Sequence, residues 1–353
     1  MLYKYRLLLF LIFQFLLLQI LSFFPGVTER FYSNGLYVWI SKTSRVTLGR
    51  IPFSIGDVIY FILIFLILKW FWKKRKTWKN QWKHNFLVIL NAFSIFYFLF
   101  HLLWATNYYR VRLFEKMDIK PDYTNTELLE FTQKLIEKTN AIHSLIVNND
   151  SLKVVFPYSR EQVFAMNLEG YDNLAKQYPY FRYEHRSVKK SLLSLPLSYM
   201  GFAGYLNPFT NEAQVNDLMP MYNFPTITTH EMAHQLGYAS ESEANFIGYL
   251  ASIKNDNLYF KYSGYSYALR YCLHNWEIRD EKILKKLLPT IHPGIIKNYD
   301  EGEAFWKHYE TFIETGFKIF YDNFLKFNRQ KDGLESYSKF VNLMVNYYKD
   351  KPL

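Results

Sequence analysis

Cysteine is nearly missing: Cys272 is the only one in 353 residues, so no intramolecular disulfide and no cysteine-built zinc cluster can form. Internal repeats and low-complexity linkers are absent, which excludes a repeat architecture. Acidic residues are missing from the run Lys69 to Lys83, although it holds seven Lys or Arg. A basic run beside an apolar stretch reads as a cytoplasmic membrane flank, so the net charge of +11 does not imply a nucleic-acid partner. No small-x-small cleavage site follows the first apolar stretch, only Pro25-Gly26-Val27. That stretch is therefore expected to stay as an anchor and not to be removed as a signal peptide.

What the sequence does have is hydrophobicity, 50% of all residues, and it is most concentrated in the first 106 positions. Three segments, about 7–24, 55–71 and 86–106, are each close to the ~20 residues needed to cross a bilayer. Lys4 and Arg6 precede the first, and the basic run lies between the second and third. The positive-inside rule then puts the N-terminus and that loop inside, and residues 107–353 outside a bacterial cytoplasmic (inner) membrane, on the periplasmic side. Trp70, Trp72, Trp78, Trp82 and Trp104 fall near the expected interfaces, where indole is favoured. Two ionisable residues accompany the spans. Asp57 is expected to be hydrated at the interface and to favour a helix N-terminus, and His101 to be neutral and hydrogen-bonded within the bundle.

Residues 107–353 read as one mainly helical domain, large enough for its own core. Leu128, Leu129, Phe131, Leu135 and Ile136 repeat at helical spacing within Thr126 to Asn140. Ser151 to Pro157 and Tyr199 to Val215 are the better strand segments. Within the latter, Gly201 to Asn216 reads as a hairpin turning at Pro-Phe-Thr-Asn. From Pro225 on the pattern is helical, and Leu334 to Tyr348 reads as a closing amphipathic helix.

The chemistry concentrates in THEMAHQLGYASESEANFIGYLA, Thr229 to Ala251. His230 and His234 stand at i and i+4, on one helical face, so both imidazoles can reach one metal ion. Glu231 lies beside them, placed to act on a metal-bound water. Thr228 or Thr229 is expected to cap this helix, and Gly237 permits a sharp turn after it. A catalytic zinc ion takes three protein ligands and keeps one position open, and the acidic cluster Glu241-Ser242-Glu243 can supply the third. Glu241 and Glu243 point about 200° apart on a helix, so only one of them can face the ion.

Glu241-Ser242-Glu243-Ala244-Asn245 resembles the ExxA(D/N) element of gluzincin peptidases. That resemblance implies Glu241 as the zinc ligand, with Glu243 the alternative, and Asn245 as the residue that steadies a ligand histidine. The spacing differs from most gluzincins, since only six residues separate His234 from Glu241. The third histidine of a metzincin would fall at Ser240, which cannot bind zinc. The HExxH region, the three spans and the ending DGLESYSKFVNLMVNYY resemble an uncharacterised bacterial membrane family, domain of unknown function 3810, with a predicted link to zinc peptidases. The expected fold is three N-terminal transmembrane helices (residues 1–106) followed by a mainly helical α+β zincin-like metallopeptidase domain (residues 107–353).

The expected function is zinc-dependent hydrolysis of a polypeptide substrate with one zinc ion and Glu231 as general base. Tyr262, Tyr265, Tyr271 and His274 are chemically suited to donate to the oxyanion. The hairpin is expected to pair with substrate backbone, as in zinc peptidases of this plan. Two other classes compete: a non-catalytic membrane receptor or scaffold with a structural zinc, and a zinc amidase acting on cell-wall material. A structural site has no use for Glu231, and cleavage of peptides or of cell wall separates the two hydrolases.

Overall fold

Each apolar stretch forms a helix in the computed structural model, which describes residues 5–328 and 337–353. Helix α1 (Arg6–Leu21) spans roughly 24 Å at 1.5 Å per residue, short of the ~30 Å hydrocarbon core. The chain then bends by 102° into the stretch Pro25–Leu48, which ends in α2 (Tyr37–Leu48). Helices α3 (Ile55–Lys74) and α4 (Trp82–Leu103) are each long and apolar enough to cross a membrane, and a third crossing is added if the bent pair counts as one span. All side chains from Phe61 to Leu68 on α3 are exposed, a continuous apolar surface of the kind that meets lipid or a partner. Gln14 of α1 donates to the Ser94 hydroxyl of α4 at 3.2 Å, and Ser94 donates to Leu7 O at 2.8 Å, polar bonds that tie α1 to α4. His101 bonds Tyr97 O through Nδ1 at 3.0 Å and is buried between the rings of Tyr97 and Phe100, as expected of a bundle histidine.

The rest is mainly helical. Capping boxes open α5 (Asn125–Ile146), through Thr124 and Glu127, and α6 (Arg160–Gln177), through Ser159 and Gln162. A small sheet follows, of β1 (Val188–Lys190), β2 (Gly204–Leu206) and β3 (Ala213–Val215), in the order β1-β3-β2. Strand β3 runs parallel to β1 and antiparallel to β2, with Tyr205 opposite Gln214. The expected hairpin is present. The expected strand at Ser151 to Pro157 is not: that segment is an irregular stretch. Asn298 takes both backbone groups of Val154, at 3.0 and 3.2 Å, and so replaces the ladder a strand would need.

Then come α7 (Phe224–Gln235), α8 (Glu241–Lys254), α9 (Leu258–Arg279), α10 (Pro293–Tyr309), α11 (Phe312–Phe327) and α12 (Tyr337–Tyr347). The expected closing helix begins at Tyr337, and Leu334 to Ser336 lie outside the described residues. Neither Thr228 nor Thr229 caps α7. The helix opens four residues earlier with Pro225 in its first turn, where a missing N–H costs nothing. Both threonine hydroxyls instead bond backward, to Phe224 O at 2.7 Å and Pro225 O at 3.2 Å.

Asp57 overturns the expectation of a hydrated interfacial carboxylate. It is fully buried and accepts from Ser191 Oγ at 3.0 Å, Leu192 N at 2.7 Å and the Tyr205 hydroxyl. Beside it Glu212, also buried, accepts from Ile55 N at 3.2 Å and Gly56 N at 2.6 Å, so an anion from the sheet caps the N-terminus of α3. Lys189 neutralises Glu212 and donates to Leu48 O and Phe53 O at 2.8 and 2.9 Å. Lys189→Met removes the only buried cation paired with Glu212 among the described residues. The stranded carboxylate is expected to lower stability by about 3–5 kcal/mol, read as a falling Tm of the full chain in detergent. An unchanged Tm would mean that Glu212 has water to lean on.

Candidate functional site

Every residue of α7 is buried, so its imidazoles are held by packing on all sides. Tyr171 of α6 donates to Thr229 O at 2.6 Å. Gly248 of α8 packs so close that a Cβ there would meet His230 N at 2.8 Å. The C-terminal carbonyls of α7, which a helix leaves unpaired, are taken by residues next to the apolar helices. Tyr37 donates to Gln235 O at 3.0 Å, Ser41 to Gln235 O at 2.9 Å, Trp104 Nε1 to His234 O at 3.1 Å, and Arg110 to Gly237 O at 2.9 Å. Arg110 is in turn held by Glu29 at 2.8 Å. The end of α7 is therefore anchored to the segments that flank the apolar helices.

His230 and His234 face each other with Nε2 atoms 3.1 Å apart and rings perpendicular. Gly237 adopts φ +83, and this turn brings Tyr238 O to 2.7 Å from His234 Nδ1. A carbonyl only accepts, so His234 carries a proton on Nδ1 and turns its Nε2 towards His230. Glu241, the first residue of α8, places Oε2 3.3 Å from His230 Nε2 and 3.7 Å from His234 Nε2. Tyr321 of α11 donates to the other oxygen, Oε1, at 2.6 Å, and so orients the carboxylate. Burial, with the Glu241 charge next, keeps that phenol protonated.

Glu231 is buried, and its Oε2 has no hydrogen-bond partner. Strand β2 passes so near that a Cβ on Gly204 would lie 2.7 Å from Glu231 Oε1; only glycine lets the strand run there. Burial pushes the Glu231 carboxyl up to about 7, against the pull of both histidines. Burial also opposes ionisation of Glu241, but hydrogen bonds to His230 and His234 win and hold it well below the usual carboxylate range. Burial would lower His234, yet Glu241 carries it up to about 9.

The donor set fits a cation. Two imidazole nitrogens and a carboxylate oxygen converge, and a tetrahedral ion with bonds of about 2.0–2.1 Å sets ligand atoms about 3.3–3.4 Å apart. The three observed separations, 3.1, 3.3 and 3.7 Å, straddle that edge length.

A family model described as "Protein of unknown function (DUF3810)" matches residues 32–345. The chain belongs to the DUF3810 family. No curated protein and no solved structure matches it. The match takes in α7, α8 and α11, and so every residue of the histidine cluster in this DUF3810 chain.

The other residues singled out from the sequence lie elsewhere in the DUF3810 chain. Glu243 turns away from the histidines and accepts from Leu113 N at 2.8 Å. Asn245 steadies no histidine: its Oδ1 accepts from Tyr267 at 2.7 Å, and His230 Nδ1 has no hydrogen-bond partner. The four proposed oxyanion donors, all on α9, are engaged away from Glu231. Tyr262 donates to Asn298, Tyr265 packs on Tyr249, Tyr271 pairs with Tyr267, and His274 pairs with Glu277 at the surface. Tyr262 and Tyr265 are buried because that side of α9 packs into the core, whereas His274 points to solvent. Tyr321, Trp104 and Gly204 were missed, and no local pattern singles out Tyr321 among the aromatic residues of α11.

Proposed function

We propose that this chain is a membrane-anchored zinc metallopeptidase of gluzincin-like, zincin-type architecture. The carrying observation is the convergence of His230 Nε2, His234 Nε2 and Glu241 Oε2 with Glu231 alongside, its Oε2 buried and without a hydrogen-bond partner. Two histidines and one glutamate are a catalytic zinc set with a position left open. Zinc held there supplies a Lewis acid that polarises the scissile carbonyl and lowers the pKa of its water to about 7.

The chain's own residues do the rest. Glu231 accepts the proton of the attacking water and returns it to the leaving amine. Tyr321 holds Glu241 so that Oε2 stays turned to the imidazoles. Strand β2 pairs only with β3 among the described residues, so its outer edge can take an extended peptide beside Glu231. The reading includes three crossings with the N-terminus inside. Its first crossing is then α1 alone, and the contacts of Glu29, Tyr37 and Ser41 with Arg110 and Gln235 support residues 25–48 and 107–353 lying on one side, opposite the basic loop.

The test uses the full chain in detergent with a peptide library read by mass spectrometry. Cleavage is expected, is expected to stop on chelation, and is expected to return with added zinc. A zinc-loaded chain that cuts no peptide overturns the proposal.

A further inference from the structure

A second convergence of donor atoms lies away from α7 and α8, at His143, Asp150 and His292. His143 stands in the last turn of α5, Asp150 in the connection that follows, and His292 just before α10. His292 is far from the other two in sequence, and the three share no residue with the HExxH cluster.

His143 is fully buried, and its Nε2 lies 2.9 Å from Leu152 O. The carbonyl can only accept, so the proton sits on Nε2 and the lone pair on Nδ1. That lone pair faces His292 Nδ1 at 3.2 Å, and Asp150 Oδ1 lies 3.5 Å from the same His292 nitrogen. These separations again match the edge of a tetrahedron drawn around a zinc-sized ion, about 3.3–3.4 Å. The tautomer lock, imidazole N–H to backbone carbonyl, is the arrangement that orients a metal-binding histidine.

The surrounding chain holds all three in place. Asn140 accepts from His292 N at 3.0 Å, and Gly294 N donates to Asp150 O at 2.7 Å. A Cβ on Gly294 would sit 2.1 Å from Leu152 O and 2.6 Å from His143 Nε2, so the connection can seat on α10 only because glycine is there. The Asp150 and His292 side chains are 61% and 21% exposed, which leaves one side of the cluster open to ions from solution.

We propose that His143, Asp150 and His292 form a second divalent-metal site, of the zinc class, that staples residues 147–152 to the start of α10. Two imidazoles and one carboxylate suit zinc and its first-row neighbours, not calcium or magnesium. Its role is to fix this corner of the domain, and peptide cleavage does not depend on it.

The experiment is zinc counting by plasma mass spectrometry on the full chain in detergent, after loading with zinc and desalting. Asp150→Asn and His292→Asn are each expected to carry one zinc fewer per chain than wild type. A His230→Ala/His234→Ala chain is expected to keep the zinc that these two changes remove. Added zinc is expected to raise the Tm of that double variant and to leave its Asp150→Asn derivative unmoved. Asp150 is exposed, so its change to Asn leaves the fold intact as a control. Equal zinc counts in wild type, Asp150→Asn and His292→Asn would overturn the site, whatever happens at the HExxH helix. The two histidines would then share an ordinary hydrogen bond.

Discussion

Glu231→Gln is expected to keep zinc and to lose hydrolysis by about 10²–10⁴-fold, the usual contribution of a general base. Glutamine has nearly the shape of glutamate, so Gly204 and the packing of α7 are undisturbed. It has no basic carboxylate, so no proton can leave the attacking water by this route. Burial holds the free Glu231 carboxyl up to about 7, where it is a capable base near neutrality. A cation beside it favours the ionised form, so the acid limb of the wild-type rate profile is expected below pH 7. The rate rises with pH as the carboxylate ionises, and the residual rate of the glutamine variant should lack that limb. Zinc content and rate are measured on the same preparation. A variant that holds zinc and cleaves at the wild-type rate would move the base elsewhere.

The histidines and Glu231 were legible in the sequence because their geometry is local: an i, i+4 pair on a helix meets one point whatever surrounds it. The apolar helices were legible for the same reason, from composition and length alone. What the sequence hid depends on tertiary partners. Asp57 reads as a hydrated helix-terminal carboxylate, and only docking of the sheet shows that Ser191, Leu192 and Tyr205 replace water around it. Ser151 to Pro157 has the composition of a strand, but the side chain of Asn298 takes its pairing groups. Tyr321 comes from a helix 80 positions beyond Glu241, and nothing in its neighbourhood marks it among so many aromatics. The tyrosines of α9 were chosen by chemistry alone, and the packing of that helix turns them into the core instead.

Glu241→Ala and Glu243→Ala are expected to fail in opposite ways. Glu241 presents Oε2 to both imidazoles, so its loss leaves two ligands where a catalytic zinc needs three. Zinc and hydrolysis should disappear together, and the metal-free Tm is expected to fall as well, because Glu241 also accepts from Tyr321 and bonds both imidazoles. Glu243 has its carboxylate buried against the backbone of Leu113, with Arg110 and Arg112 close by in charge. Its loss leaves a buried N–H unpaired, which costs about 1–3 kcal/mol. For a chain of this size that is a Tm fall of several degrees, of order 2–4 °C per kcal/mol. Zinc binding should survive it. The two glutamates lie two residues apart on one helix and point about 200° apart. One therefore serves the cluster and the other the fold. Retained zinc in Glu241→Ala with lost zinc in Glu243→Ala would reverse that division of labour and remove the coordination set on which the peptidase reading stands.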